Sequence, residues 1–221
     1  MSSLNSTESE YRGGKIIVVS IAVAIVQIMV ILARFYARKF KKNPFGLDDF
    51  LIFVAFVTSL GQSALYIIMV KTGGTGYHLA VVEKHPRKLV NLQKCLYINE
   101  IMDMPFTITP AKLSILCFYL RIFFGQRFKF WVSVTGFMIL GHGVGVLFAA
   151  IFQCSPIAYT WDKAIMDGTC FNQQAFYRYV SIPVIVTDVM IMILPLPFLW
   201  KLKVSTSQKI ALTGVFILGS M

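Results

Sequence analysis

The residues of this chain best placed to do chemistry are ionisable groups set inside apolar runs. Lys112 lies in "MDMPFTITPAKLSILCFYLRIF", residues 102–123, which otherwise reads as a membrane-crossing helix. Counting from Arg121 as the edge of that helix, Lys112 is nine residues in, about 13 Å deep at 1.5 Å per residue. A lysine near the middle of a bilayer costs about 3 kcal/mol on insertion scales, so a reason for keeping it is expected. Asp103 does not supply one, because nine residues of helix carry it to the opposite face. The partner must come from another helix. Asp188 in "VIVTDVMIMILPLP" and His142 in "GHGVG" lie at depths of about 20 and 18 Å by the same count, and a lysine side chain reaches several ångströms along its helix. Lys112, His142 and Asp188 are therefore expected in one polar layer. Three roles are open to it: a buried clamp between helices, a site that orients the polar group of a small-molecule ligand, or a proton or ion relay of the kind transporters use.

Other motifs carry weaker signals. Tyr119 follows Lys112 by seven residues and shares its face, and Arg121 emerges at the membrane edge. "FYLRIF" thus reads either as a coupling surface or as a basic-aromatic interface anchor. Asp48 and Asp49 in "GLDDF" suit the first turn of a helix, where free amides and the dipole favour carboxylates, and they join Tyr119 and Arg121 as candidate interface residues. Pro105 and Pro110 predict kinks. Gly141 and Gly145, four apart, predict close helix contact. His78 and His85 fall in a polar loop and read as solvated. No HExxH, GxSxG or metal-spaced cluster is present, so no catalytic residue, metal site or cofactor is expected, and the protein reads as non-enzymatic.

The elements that must position these groups are transmembrane helices. Of 221 residues, 57% are hydrophobic and 14% charged, and the apolar residues form long continuous runs instead of the alternating strands of a barrel. The fold class expected is all-α, a polytopic transmembrane bundle. Complete spans are expected at about 16–36, 50–70, 96–120, 131–152 and 179–200, after a short N-terminus over 1–15. A partial sixth run, 210–221, has twelve residues, about 18 Å of helix and too short to cross. The formal charge of +11 does not indicate nucleic acid. The basic residues cluster in short loops at helix ends, where they meet headgroups of the lipid bilayer.

Loops after the first, third and fifth spans carry eleven Lys and Arg, against nine on the other side. That bias places the N-terminus outside or in the lumen. The sequon at Asn5, "NST", then falls on the glycosylated side. Cys154 and Cys170 fall in an exterior loop, where a disulfide persists and stabilises by about 3 kcal/mol in the chain-entropy model. Cys95 is a rival partner for Cys170, and Cys117 reads as a small apolar packer.

Six stretches in order resemble the fungal rhodopsin-like family of seven-helix integral membrane proteins. They are "RFYARKF…GLDDF" (34–50), "GTGYH" (74–78), "KLSILCFYLRIF" (112–123), "CSPIAYTWD…C" (154–170), "TDVMIMILPLPFLWKL" (187–202) and "KIALTGVFIL" (209–218). The resemblance implies a rhodopsin-like bundle with the N-terminus outside, in the plasma membrane or another secretory-pathway membrane. Some members lie in secondary-metabolite gene clusters. Its pattern covers Asp48, Asp49, His78, Lys112, Tyr119, Arg121, Cys154, Trp161, Cys170, Asp188 and Pro195. It does not imply retinal: the familiar chromophore lysine lies in helix 7, the sequence stops in helix 6, and Lys112 belongs to helix 3. The function expected is sensing or binding of a small lipophilic molecule. The alternatives are a transporter or transport accessory that uses the Lys/His/Asp layer, or a truncated structural product.

Overall fold

The computed structural model describes residues 13–40, 46–76, 86–123, 125–163 and 165–197. Asn5, His78, His85 and the run 210–221 lie outside them. Among the described residues, five helices are long and apolar enough to cross a membrane. They are α1 (Gly13–Phe40), α2 (Leu47–Gly73), α3, α4 (Gln126–Ile151) and α5 (Gln173–Ile193). The third runs as one rod through Pro86–Met102, Asp103–Ile108 and Thr109–Ile122. It starts ten residues before its expected beginning, with Pro86 at the first position, where a missing N–H costs nothing. The fifth begins at Gln173 and not at 179, because the Asn172 side chain accepts a bond from the Ala175 amide and caps it.

Large apolar side chains on the outward faces stay exposed in the bundle, Val18, Leu32, Phe137 and Phe148 among them. This is the arrangement lipid demands, since helices satisfy their own backbone and gain nothing by hiding apolar surface from hydrocarbon. α2 packs against both α1 and α3, α4 against α3, and α5 against α4. The apolar core gathers Leu116 and Tyr119 of α3, Phe123 just after it, Phe128, Val132 and Ile139 of α4, and Ile191 of α5.

Two departures from regular geometry set the positions of side chains. Asp103–Ile108 is a π-helical turn. Pro105 has no N–H for the carbonyl four residues back, and the wider i→i+5 turn takes up the break. Pro110 likewise leaves the Phe106 carbonyl without its α-helical donor, and Thr58 Oγ1 of α2 donates to that oxygen at 2.8 Å. The expected kinks are thus realised as a bulge tied to a neighbouring helix. The second departure is the contact of α4 with α3. Gly141 and Gly145 have nothing within 4 Å of a Cβ position, whereas a Cβ on Gly143 would stand 2.5 Å from Thr109 Oγ1. The close approach is therefore made by the glycine between the two expected ones.

Beyond α4 the chain makes a short antiparallel ladder, β1 (Cys154–Ser155) with β2 (Thr169–Cys170), in which Cys154 faces Cys170. These two form a disulfide, and Cys95 and Cys117 are free thiols. We refer to this end of the bundle as the disulfide end. The opposite end, where α1 meets α2 and α3 meets α4, is the arginine end.

Candidate functional site

The midplane group is built on α3 and α5. Lys112 Nζ lies 2.8 Å from Asp188 Oδ1, 3.1 Å from the Val184 carbonyl oxygen and 3.0 Å from Thr187 Oγ1. An ammonium has three hydrogens, so each has an acceptor. The two partners differ in cover: the Lys112 side chain is 11% exposed and that of Asp188 41%. His142 sits beside Lys112 and against the Val180 carbonyl. Val180 precedes Val184 by one turn, so His142 lies one turn nearer the disulfide end than the Lys112 contacts, and the expected single layer is a staggered one. Its Nε2 is buried without a partner among the described residues.

The arginine end holds a denser charge cluster that sequence reasoning had divided between loop anchors and helix caps. Asp48 and Asp49 open α2, and both side chains are almost fully buried, at 5% and 4% exposure. Arg34 reaches Asp48 Oδ2 at 3.0 Å and Asp49 Oδ1 at 3.4 Å. Arg38 pairs with Asp48 and, at 2.7 Å, with Asp49 Oδ1. Arg121 Nη1 approaches Asp48 Oδ1 at 3.8 Å. Ser114 Oγ donates to the Asp48 carbonyl at 2.6 Å, and Asp49 Oδ2 accepts from the Gly46 amide at 3.2 Å, which caps the helix. Gly46 is needed there, because a Cβ would stand 2.6 Å from Asp48 Oδ1. The signal in the sequence was the spacing of Gln27, Ile31, Arg34 and Arg38, which puts all four on one face of α1.

Tyr119, expected at a coupling surface or as an interface anchor, lies instead in the core. It is 2% exposed and meets Phe123 edge-on. Arg121 remains at the helix edge, turned toward Asp48. Asp103, excluded as a partner of Lys112, accepts instead from Gln62 of α2 at 2.9 Å.

Sequence reasoning also passed over a group near the disulfide end. The side chains of Tyr177 of α5 and of Gln153 stand beside the Glu100 carboxylate. Gln173 in turn donates to Gln153 Oε1 at 3.1 Å. Tyr177 fell outside the expected fifth span, so its place on a helix face was hidden. No set of three His, Cys, Asp or Glu among the described residues is arranged to hold a metal.

A family model for the fungal rhodopsin domain matches residues 33–221. The chain belongs to the fungal rhodopsin family. This fungal rhodopsin-like protein is 30% identical over its whole length to the polyenoic acids biosynthesis gene cluster protein Ba17b of Metarhizium anisopliae, of which it covers 60%. It is also 30% identical over 66% of its length to a SAT4 family membrane protein of Emericella nidulans, covering 38% of that relative. A third relative, the fugralins biosynthesis cluster protein 2 of Gibberella zeae, is 26% identical over 91% of the chain and 51% of its own length. The chain thus spans 60% or less of these curated relatives. No solved structure is significantly similar to it. Family membership and the apolar helices together make it a multi-pass membrane protein with relatives named for secondary-metabolite clusters.

Proposed function

We propose that this fungal rhodopsin-like protein is non-enzymatic and binds or senses a small lipophilic molecule connected with a secondary-metabolite pathway. The observation that carries the reading is the Lys112–Asp188 pair, closed around the ammonium and half open at the carboxylate. Ionisable groups in a membrane span are costly to keep and face bundle interiors or cavities. An ion pair with one open member provides a fixed polar contact for a ligand whose remaining surface is apolar. Two relatives named for biosynthetic clusters support the link to a pathway. The test is saturable binding of hydrophobic fungal metabolites to the full chain in nanodiscs, beside Lys112→Met. Affinity should fall at least about tenfold in the variant, the equivalent of one charged hydrogen bond. Equal binding by both proteins removes Lys112 from the site.

The N-terminus is assigned to the outside or lumen. The disulfide supports this, because such bonds persist on the oxidising side and the loop after an even number of crossings shares the side of the N-terminus. A split reporter fused before Met1 should be complemented only from outside the cell. Complementation from the cytosol reverses the assignment.

A further inference from the structure

Along α5, Tyr177, Val180, Val184 and Asp188 recur at intervals of three, four and four residues, which places them in one stripe. Each meets a polar group of α3 or α4. The Tyr177 side chain stands beside Glu100. The Val180 carbonyl lies against His142. Lys112 spans Val184, Thr187 and Asp188. The stripe extends for about 16 Å of helix, from the disulfide end to the midplane pair.

The hydrogen-bonding capacity of this column is one-sided. The three ammonium hydrogens of Lys112 are engaged, and the Tyr177 hydroxyl has Glu100 beside it as its acceptor. What is left is acceptor capacity. Glu100 Oε1 and His142 Nε2 are both buried and have no partner among the described residues. A ring N–H directed at the Val180 carbonyl leaves Nε2 as the acceptor of the imidazole. Asp188 meets Lys112 through Oδ1 alone. The column also holds two carboxylates, Glu100 and Asp188, against one ammonium. Buried acceptors left unmatched are unfavourable and are relieved by a donor, whereas an added anion meets a net negative charge at low dielectric.

We propose that this column is the polar wall of the binding site, and that its ligand presents hydrogen-bond donors, as an amine or a hydroxyl on an apolar chain, and not a free carboxylate or phosphate. The proposal rests on the ligand-binding reading above and adds the chemical class. Glu100, at the mouth of the column, is the group that separates the two donor types, since its charge favours an ammonium over a neutral alcohol.

The experiment uses the full chain in detergent and three probes of equal chain length: decylamine, decanol and decanoate. Binding to the folded state stabilises it by RT ln(1 + c/Kd) at free ligand concentration c, so apparent affinities follow from the rise of the melting temperature with ligand concentration. Decylamine and decanol should both stabilise, with decanoate at least about tenfold weaker. Glu100→Gln, close to isosteric, should weaken decylamine by about tenfold and leave decanol within about threefold. Glu100→Asp, which keeps the charge, should retain the preference for the amine. Decanoate binding as tightly as decylamine, with the effect lost in Lys112→Met, overturns the donor class and leaves the binding site standing. Decylamine affinity unchanged in Glu100→Gln overturns the column as its wall. No rise in melting temperature with any of the three overturns both the class and the binding reading.

Discussion

The protein buries charge in two places, and the two are built differently. At the arginine end, two carboxylates opening α2 are surrounded by guanidinium groups from α1 and α3, and their side chains are 4–5% exposed. At the midplane, a single ammonium is enclosed while its carboxylate remains 41% exposed. The first joins three helices at once and has partners on every side. The second joins two helices and leaves one acceptor open. Closure on all sides suits a pin that fixes helix positions. One-sided closure suits a place where something else is to be held. Guanidinium forks favour the first role because they present several donors in a fixed plane, whereas lysine supplies a compact point charge.

The comparison is broken most forcefully at Asp48. In Asp48→Ala the arginines keep their charge and lose a buried carboxylate, which costs about 3–5 kcal/mol when one member of a buried pair is removed. Thermal or denaturant unfolding in detergent should therefore show a large loss of stability. A loss under about 1 kcal/mol would mean that the cluster is solvated and holds nothing. Next in size is Gly143→Ala, which drives a methyl into Thr109 and should cost about 1–3 kcal/mol by overpacking. Gly141→Ala meets open space and should be neutral or stabilising by up to about 1 kcal/mol through helix propensity. Equal effects at the two glycines would place the α3–α4 contact elsewhere. The smallest stability change belongs to Lys112→Met. The Asp188 side chain is 41% exposed and can turn away, so the loss should stay at about 1 kcal/mol. A loss as large as that of Asp48→Ala would make the midplane pair a second pin.

The helices were legible in the sequence because a long apolar run in lipid has no alternative to helix. Family membership was legible in six ordered stretches, none decisive by itself. Depth counting puts Lys112 and Asp188 at comparable levels, and the two side chains stand 2.8 Å apart. Other features depend on azimuth, which a single sequence reports poorly. Arg34 and Arg38 read as headgroup anchors because they end an apolar run, yet they turn inward to Asp48 and Asp49. The pattern Gly-x-x-x-Gly identified a segment of α4 with small residues but not which side of it meets α3. Tyr177 escaped notice because the first turns of α5 are polar, and hydrophobicity alone starts that helix too late. Glu100 lost its partner along with it.

The π-helical turn at Asp103–Ile108 ties these two regions together. Such a turn amounts to one residue more than α-helical phasing allows, so every later side chain in α3 points about 100° from where an unbroken helix would aim it. Lys112 toward α5, Ser114 toward the Asp48 carbonyl and Arg121 toward the Asp48 carboxylate all lie past that turn. Their bearings therefore share a single origin, like the marks on a dial set by one screw. Thr58, holding the Phe106 carbonyl from the neighbouring helix, is the stop that keeps the dial from slipping.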